Sequence, residues 1–181
     1  MSGSLKVGGS ELINDSGGSG ALNWSTGVPA GTVLQVVNMA SSVQKSTTSA
    51  ETWTGLNKDI TVKSANPKIL LIYSHAFFND TANNAFFIRL KRDTSAISAS
   101  NFGTELEFSG MNGYFNGSNG FITAVYKFLD SPTISAGSTL YYGSTFNLDY
   151  NGSSTPTAII NFGDSNIGPC TSSLTVMEIK S

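Results

Sequence analysis

Residues 68–93 read KILLIYSHAFFNDTANNAFFIRLKRD, two apolar stretches divided by the polar segment 79–84. In the first stretch Ile69, Leu71, Tyr73 and Phe77 fall on one parity and Leu70, Ile72 and Ala76 on the other, which predicts a strand covered on both faces. Such a strand belongs in the middle of a sheet. In the second, Phe86, Ile88 and Leu90 share a face while Arg89 and Lys91 point away, the alternation of an antiparallel strand with one wet side. Together they predict a hairpin able to seed a β-sandwich.

Strand signals recur at 32–39, 59–63, 105–108, 120–129, 139–150, 158–162 and 173–180, and no sustained helical period interrupts them. Asn-Gly pairs at Asn112, Asn116, Asn119 and Asn151, and prolines at Pro132, Pro156 and Pro169, supply turn chemistry between strands. Eight or more short strands without helices predict an all-β fold, an antiparallel sandwich of the jelly-roll kind. Its interior is expected to take Ile122, Ala124, Tyr126 and Phe128 from one strand and Leu140, Tyr142, Phe146 and Leu148 from another. In the last strand Leu174 and Val176 oppose Met177 and Ile179, so both faces should be covered. That places it inside a sheet, as when the two ends of a jelly roll become neighbours, or against another subunit, and makes a homotrimer plausible.

Residues 1–31 differ from this pattern. Gly8-Gly9 and the run DSGGSG separate two short apolar pieces, a composition too rich in glycine to hold a packed fold alone. The segment predicts a short extended N-terminal arm, either anchoring through Leu5, Val7, Leu12, Ile13, Leu22 and Trp24 or simply frayed, followed by a sandwich domain over 32–181.

Composition narrows the function. Charged residues are 12% of the chain, about half the usual share, so solubility must rest on neutral polar groups. A formal net charge of -2 provides no basic field for a phosphate backbone, which argues against nucleic-acid partners. No apolar run approaches the roughly 20 residues of a membrane-spanning helix, so membrane insertion is not expected. The N-terminal sequence has no apolar core of the Sec type, and export by that route is not expected. The sequons at Asn23, Asn79, Asn116 and Asn151 then read as by-products of composition.

Chemistry is sparse. His75 shares a face with Tyr73 and Phe77 and reads as a structural, hydrogen-bonded histidine. One histidine and one cysteine do not make a zinc site of the usual kind, and no Asp-x-Asp-x-Asp-Gly loop is present, so neither metal nor cofactor is expected. Cys170 reads as a small buried residue. No Gly-x-Ser-x-Gly elbow presents a nucleophile. Glu105, Glu107, Asp149 and Asp164 are conceivable acids for glycoside hydrolysis, although Glu105 and Glu107, two apart in a strand, read more simply as a solvated edge. No catalytic residues are assigned, and the chain is not expected to be an enzyme. In GMNGYFNGSNG, 110–120, Tyr114 and Phe115 sit among glycines and amides, where rings could stack on a sugar or fold inward at a hairpin tip; Trp53 is ambiguous in the same way.

GTVLQVVNM at 31–39, WTGLNKDITVKSANPKILLIYS at 53–74, FFIRLKRDTSAI at 86–97, YKFLDSP at 126–132 and the terminal SLTVMEI resemble, in that order, small virion proteins of marine and cyanobacterial bacteriophages. These are fibre and capsid decoration proteins, and LKVGGSELIND looks like the opening of several of them. The resemblance implies a trimer of jelly-roll subunits, similar to tumour necrosis factor and C1q heads, attached to capsid or tail proteins by the N-terminal arm. It carries no catalytic residues. About 30 residues before the sandwich leave no room for a long shaft, which favours a short fibre or capsid decoration at the virion surface. The alternative is a receptor-binding tail-fibre tip or glycan-binding module that contacts host surface sugars through Trp53, Tyr114 or Phe115.

Overall fold

The computed structural model describes residues 4–7, 10–14, 23–24, 28–48, 50–79, 84–107, 113–115, 120–150, 157–163 and 168–181. The fold is all-β and antiparallel throughout. Three short strands come first, β1 (Ser4–Val7), β2 (Ser10–Asn14) and β3 (Asn23–Trp24), paired with one another as a small meander within the expected arm. Eleven more follow: β4 (Val33–Ser41), β5 (Lys45–Thr47), β6 (Thr52–Thr61), β7 (Lys68–Asn79), β8 (Asn84–Asp93), β9 (Thr104–Glu107), β10 (Gly113–Phe115), β11 (Gly120–Asp130), β12 (Thr139–Tyr150), β13 (Ala158–Ile160) and β14 (Ser172–Ile179).

Six of these are the halves of three interrupted strands. β14 and β13 pair with successive parts of β7, Lys68 to Ser74 and then Phe77 to Asn79, and β4 and β5 continue that alignment one strand further out. In the other sheet β9 and β10 pair with the two ends of β8. Counting each broken pair as one, eight strands form two four-stranded sheets, β4/β5–β14/β13–β7–β11 and β6–β12–β8–β9/β10. In chain order this is 1-8-3-6 over 2-7-4-5, the jelly-roll arrangement, with first and last strands adjacent.

Burial follows the alternation. Ile69, Leu71, Tyr73 and Phe77 of β7 face Phe86, Ile88 and Leu90 of β8 and Leu140, Tyr142, Phe146 and Leu148 of β12, all buried in one core. Phe77 stacks on Phe86 at 4.2 Å. The terminal strand lies inside its sheet as its pattern predicts, with Leu174 and Val176 buried and Met177 and Ile179 half-buried. β11 departs from expectation. Ala124 is buried, but Tyr126 and Phe128 are half-buried and Ile122 is exposed, because β11 is a sheet edge and its inward side runs out past the core. Cys170 is likewise half-buried, just before β14, and not a core residue.

Polar side chains tie the two sheets together at one end. Arg92 Nη1 donates to both carboxylate oxygens of Asp130 at 2.7 and 2.6 Å, and the Tyr142 hydroxyl donates to Asp130 Oδ2 at 2.8 Å, linking β11 to β8 and β12. Burial, with the Asp130 carboxylate beside it, pushes the Tyr142 phenol up from its ordinary range. At the same end Gly31 N–H donates to Lys180 C=O, and Lys180 N–H to Thr32 C=O. The segment leading from the arm and the last residues therefore leave side by side. Gly103 turns the chain into β9 with φ +70°, and a Cβ there would stand 2.9 Å from the Arg92 carbonyl oxygen. Gly103→Ala is expected to cost about 1–3 kcal/mol, read as a fall in the urea midpoint at unchanged slope.

Candidate functional site

The two sheets differ on their outer faces, and the difference locates the candidate site. On the β6–β12–β8–β9 sheet the chain covers itself. Ile97, fully buried on the loop after β8, lies over Gly143 of β12, where a Cβ would come within 3.1 Å of its Cγ2; Asn57 Nδ2 donates to the Ile97 carbonyl at 2.7 Å. Next to it Glu51 closes over β12 and β8. Its carboxylate reaches Lys91 Nζ at 2.8 Å and accepts from the Thr145 hydroxyl, and Glu105 reaches Arg89 at 3.3 Å and Lys91 at 3.4 Å. Burial alone would raise the Glu51 carboxyl, but the Lys91 ammonium and the Thr145 hydroxyl outweigh it and hold it below its ordinary value. Lys91, predicted on a wet face, is thus buried under these two acids. Glu105 is a member of this ion cluster and not a merely solvated edge.

The outer face of the other sheet has no such cover among the described residues except at its far end, where Phe162 lies over Phe78. Alternation that puts Ile69, Leu71 and Tyr73 inside leaves Leu70 and Ile72 outside, and the register aligns Leu70 with apolar neighbours and Ile72 with polar ones. One row across the sheet is Val36, Met177, Leu70, Leu129; the next is Asn38, Thr175, Ile72, Lys127; a third ends in Val125. Val36 is 52% exposed, Val125 59% and Leu129 51%. At the far end Phe78 stacks on Phe162 at 4.2 Å and meets Phe121 at 4.8 Å, with Phe121 47% exposed. β11 also presents an unpaired edge, since β7 is its only partner strand among the described residues.

The aromatic residues singled out for sugar contact are not gathered together. Trp53 lies within strand β6, not in a loop, across from Thr145, half-buried and with Lys45 Nζ 5.8 Å from its ring. Tyr114 and Phe115 lie in β10, opposite Ala85 and Asn84. Trp53 and Tyr114 are therefore at opposite edges of the four-stranded sheet and offset by four residues along it, Trp53 level with Arg89 and Tyr114 with Ala85, roughly 20 Å apart at ordinary strand geometry. Of the anchoring candidates, Leu5 and Val7 are in β1, Leu12 and Ile13 in β2 and Trp24 in β3, Ile13 paired with both Leu5 and Trp24. Leu22, the Asn-Gly turns and Asp164 lie outside the described residues.

His75 is fully buried between the sheets, its Nε2 3.3 Å from Ser144 Oγ, which agrees with a structural role. Among the described residues no three His, Cys, Asp or Glu side chains converge as a metal site, and no helix is long and apolar enough to cross a membrane. What the arrangement offers chemically is a sheet face with one apolar row, Val36, Met177, Leu70 and Leu129, flanked by neutral polar side chains and by Lys127 and Lys68, beside an open strand edge. Sequence reasoning missed Ile97 and Glu51, the residues that shut the opposite face; the only signal available was an isoleucine alone in the polar run DTSAISASN. No protein-family model matches the sequence, and no curated protein is significantly similar to it.

Proposed function

We propose that this chain is a non-enzymatic virion surface protein, a short fibre or capsid decoration of the bacteriophage type its segments resemble. In this reading it forms a homotrimer that covers the outer face of β4–β14–β7–β11 with copies of itself, and the N-terminal residues Leu5, Val7, Leu12, Ile13, Leu22 and Trp24 hold it to capsid or tail proteins.

The observation that carries the reading is the contrast between the two outer faces. One is closed by the chain's own Ile97 and Glu51, whereas the other keeps Val36, Leu129 and Val125 in water. Three strand spacings across and eight residues along β11, the open face measures about 14 by 27 Å. That is on the order of 400 Å² in projection before side-chain relief, a large share of the roughly 800 Å² that each partner gives a specific interface. A second support is direction. The arm enters beside Lys180, at the end where β7 begins and β11 finishes, while the β7–β8, β10–β11 and β12–β13 connections all join strands at the other end. A subunit anchored by its N-terminus would thus turn those Asn-, Gly- and Ser-rich connections outward.

Removing residues 1–31 separates the two parts of the proposal. The truncated chain is expected to remain folded and self-associated by light scattering, yet to be lost from particles in sedimentation of assembled virions. Incorporation at the full-length level would overturn the anchoring role; a single-chain mass would overturn the trimer.

A further inference from the structure

We propose that His75 makes the sandwich acid-labile, because the fold has a place for this imidazole only in its uncharged form. The side chain is 0% exposed and projects from β7 into the space between the two sheets. Tyr73 and Phe77 flank it on its own strand, with ring centroids at 5.8 and 5.7 Å. Its in-sheet neighbours are Ala124 of β11 and, on the β14 side, Ser172, whose hydroxyl accepts from Ala76 N–H and donates to Asn161 Oδ1. From the opposite sheet come Ser144 of β12, 3.3 Å from Nε2, and Thr54 of β6, whose hydroxyl lies 2.8 Å from that of Ser144. Nδ1 is buried without a hydrogen-bond partner.

None of these groups carries a charge that could answer an imidazolium. Tyr73 is the titratable side chain in ring contact, and burial pushes its phenol up, so it stays neutral. No carboxylate acts on the imidazole, and burial alone brings it down to about 3. The flanking rings offer a cation only their quadrupoles, far less than the hydration it would lose. Protonation therefore selects states in which β7 and β12 have parted.

The sign follows from linkage. An unfolded or opened chain takes up the proton near the ordinary histidine value of about 6.5, while the folded chain does not until about 3. The stabilising effect of a neutral His75 is whole above about 6.5 and drains away as the pH falls toward 3, by about tenfold in the folding constant for each unit. This device is independent of what the open sheet face binds, because it lies inside the subunit.

The test compares the full chain with His75→Phe and His75→Gln in denaturant titrations from pH 7 to pH 4, at one protein concentration. Carboxylates contribute equally to all three, so the informative quantity is the difference between parent and variant. Relative to either variant, the parent is expected to lose on the order of 100-fold in its folding constant between pH 7 and pH 4.5. Parallel curves would overturn the proposal. Should neither variant fold, the imidazole ring protons of the parent decide by NMR: their shifts are expected to stay constant down to about pH 4 in the folded protein, and a folded-state midpoint near 6.5 would defeat the idea.

Discussion

Replacing Val125 and Leu129 together by aspartate is expected to turn a self-associated protein into single folded chains. Both side chains point out from β11 and are more than half exposed in the isolated subunit, so the substitution should change subunit stability by only about 0.5 kcal/mol per site. Against a neighbouring copy the outcome reverses. Each aspartate would enter an apolar face whose nearest charged residue in register is Lys127, two positions from both and on the same strand. Lys127, and Lys68 beside Leu70, can pair with these carboxylates, but a buried ion pair returns less than the apolar contact it replaces, because both charges must lose their water. The two substitutions together should weaken association on the order of a hundredfold, read as dissociation at low micromolar concentration. Light scattering would read the mass, and unchanged circular dichroism and thermal unfolding of the separated chains would show that the fold survives. A parent already monomeric, or a double variant of unchanged mass, would remove the central support of the proposed function. Leu70→Asp alone, one strand further in and in register with Leu129, should act the same way and guards against a local effect at the sheet edge.

The same face explains how much the sequence discloses and where it falls silent. Alternation located the sandwich because β7, β8, β12 and β14 are long, and a period of two over eight or more residues has few rivals. The two-sided apolar character of 68–78 correctly puts β7 inside its sheet, with β14 on one side and β11 on the other. Local pattern fails where burial depends on distant chain. Ile122, Tyr126 and Phe128 follow the inward parity, yet an inward position on an edge strand is dry only if the facing sheet extends that far. Lys91 and Thr145 follow the outward parity, yet Glu51, brought in from before β6, covers them. Trp53 falls before the strand signal at 59–63 because SAETWTG is polar, whereas pairing of β6 with β12 carries the strand back to Thr52. Dispersion of the aromatic candidates has the same origin. Trp53 and Tyr114 belong to strands separated by β12 and β8, and that order comes from jelly-roll connectivity, which no local spacing encodes.

Glu178→Ala is expected to lower subunit stability by about 3–5 kcal/mol, a large fraction of what a domain of this size has. Counting along β14, Glu178 falls on the parity of Leu174 and Val176, an inward position that a carboxylate should not take, and it is indeed 0% exposed. Donors at the turn after β6 make this tolerable. Lys63 N–H and Ser64 N–H both point at Glu178 Oε1, at 2.9 and 2.8 Å, the Ser64 hydroxyl joins them at 3.0 Å, and Gln35 Nε2 donates to Oε2 at 2.6 Å. The carboxylate thus fixes the β6–β7 connection, in one sheet crossing to the other, onto the terminal strand beside β4. Alanine would take the acceptor from two part-buried backbone N–H groups, each costing up to about 1–3 kcal/mol, and would leave the space of a fully buried side chain empty. Glu178→Gln keeps the volume and one acceptor oxygen but aims an NH₂ at groups that are themselves donors, so its cost should be smaller, about 1–3 kcal/mol. Urea titrations at pH 7 should therefore rank parent above Gln above Ala. Equal midpoints for all three would mean that the turn finds water instead. Because Ile179 and Met177 stand on the open face to either side of Glu178, loosening this turn should also weaken association, making the assembled mass of the Ala variant more sensitive to dilution than that of the parent.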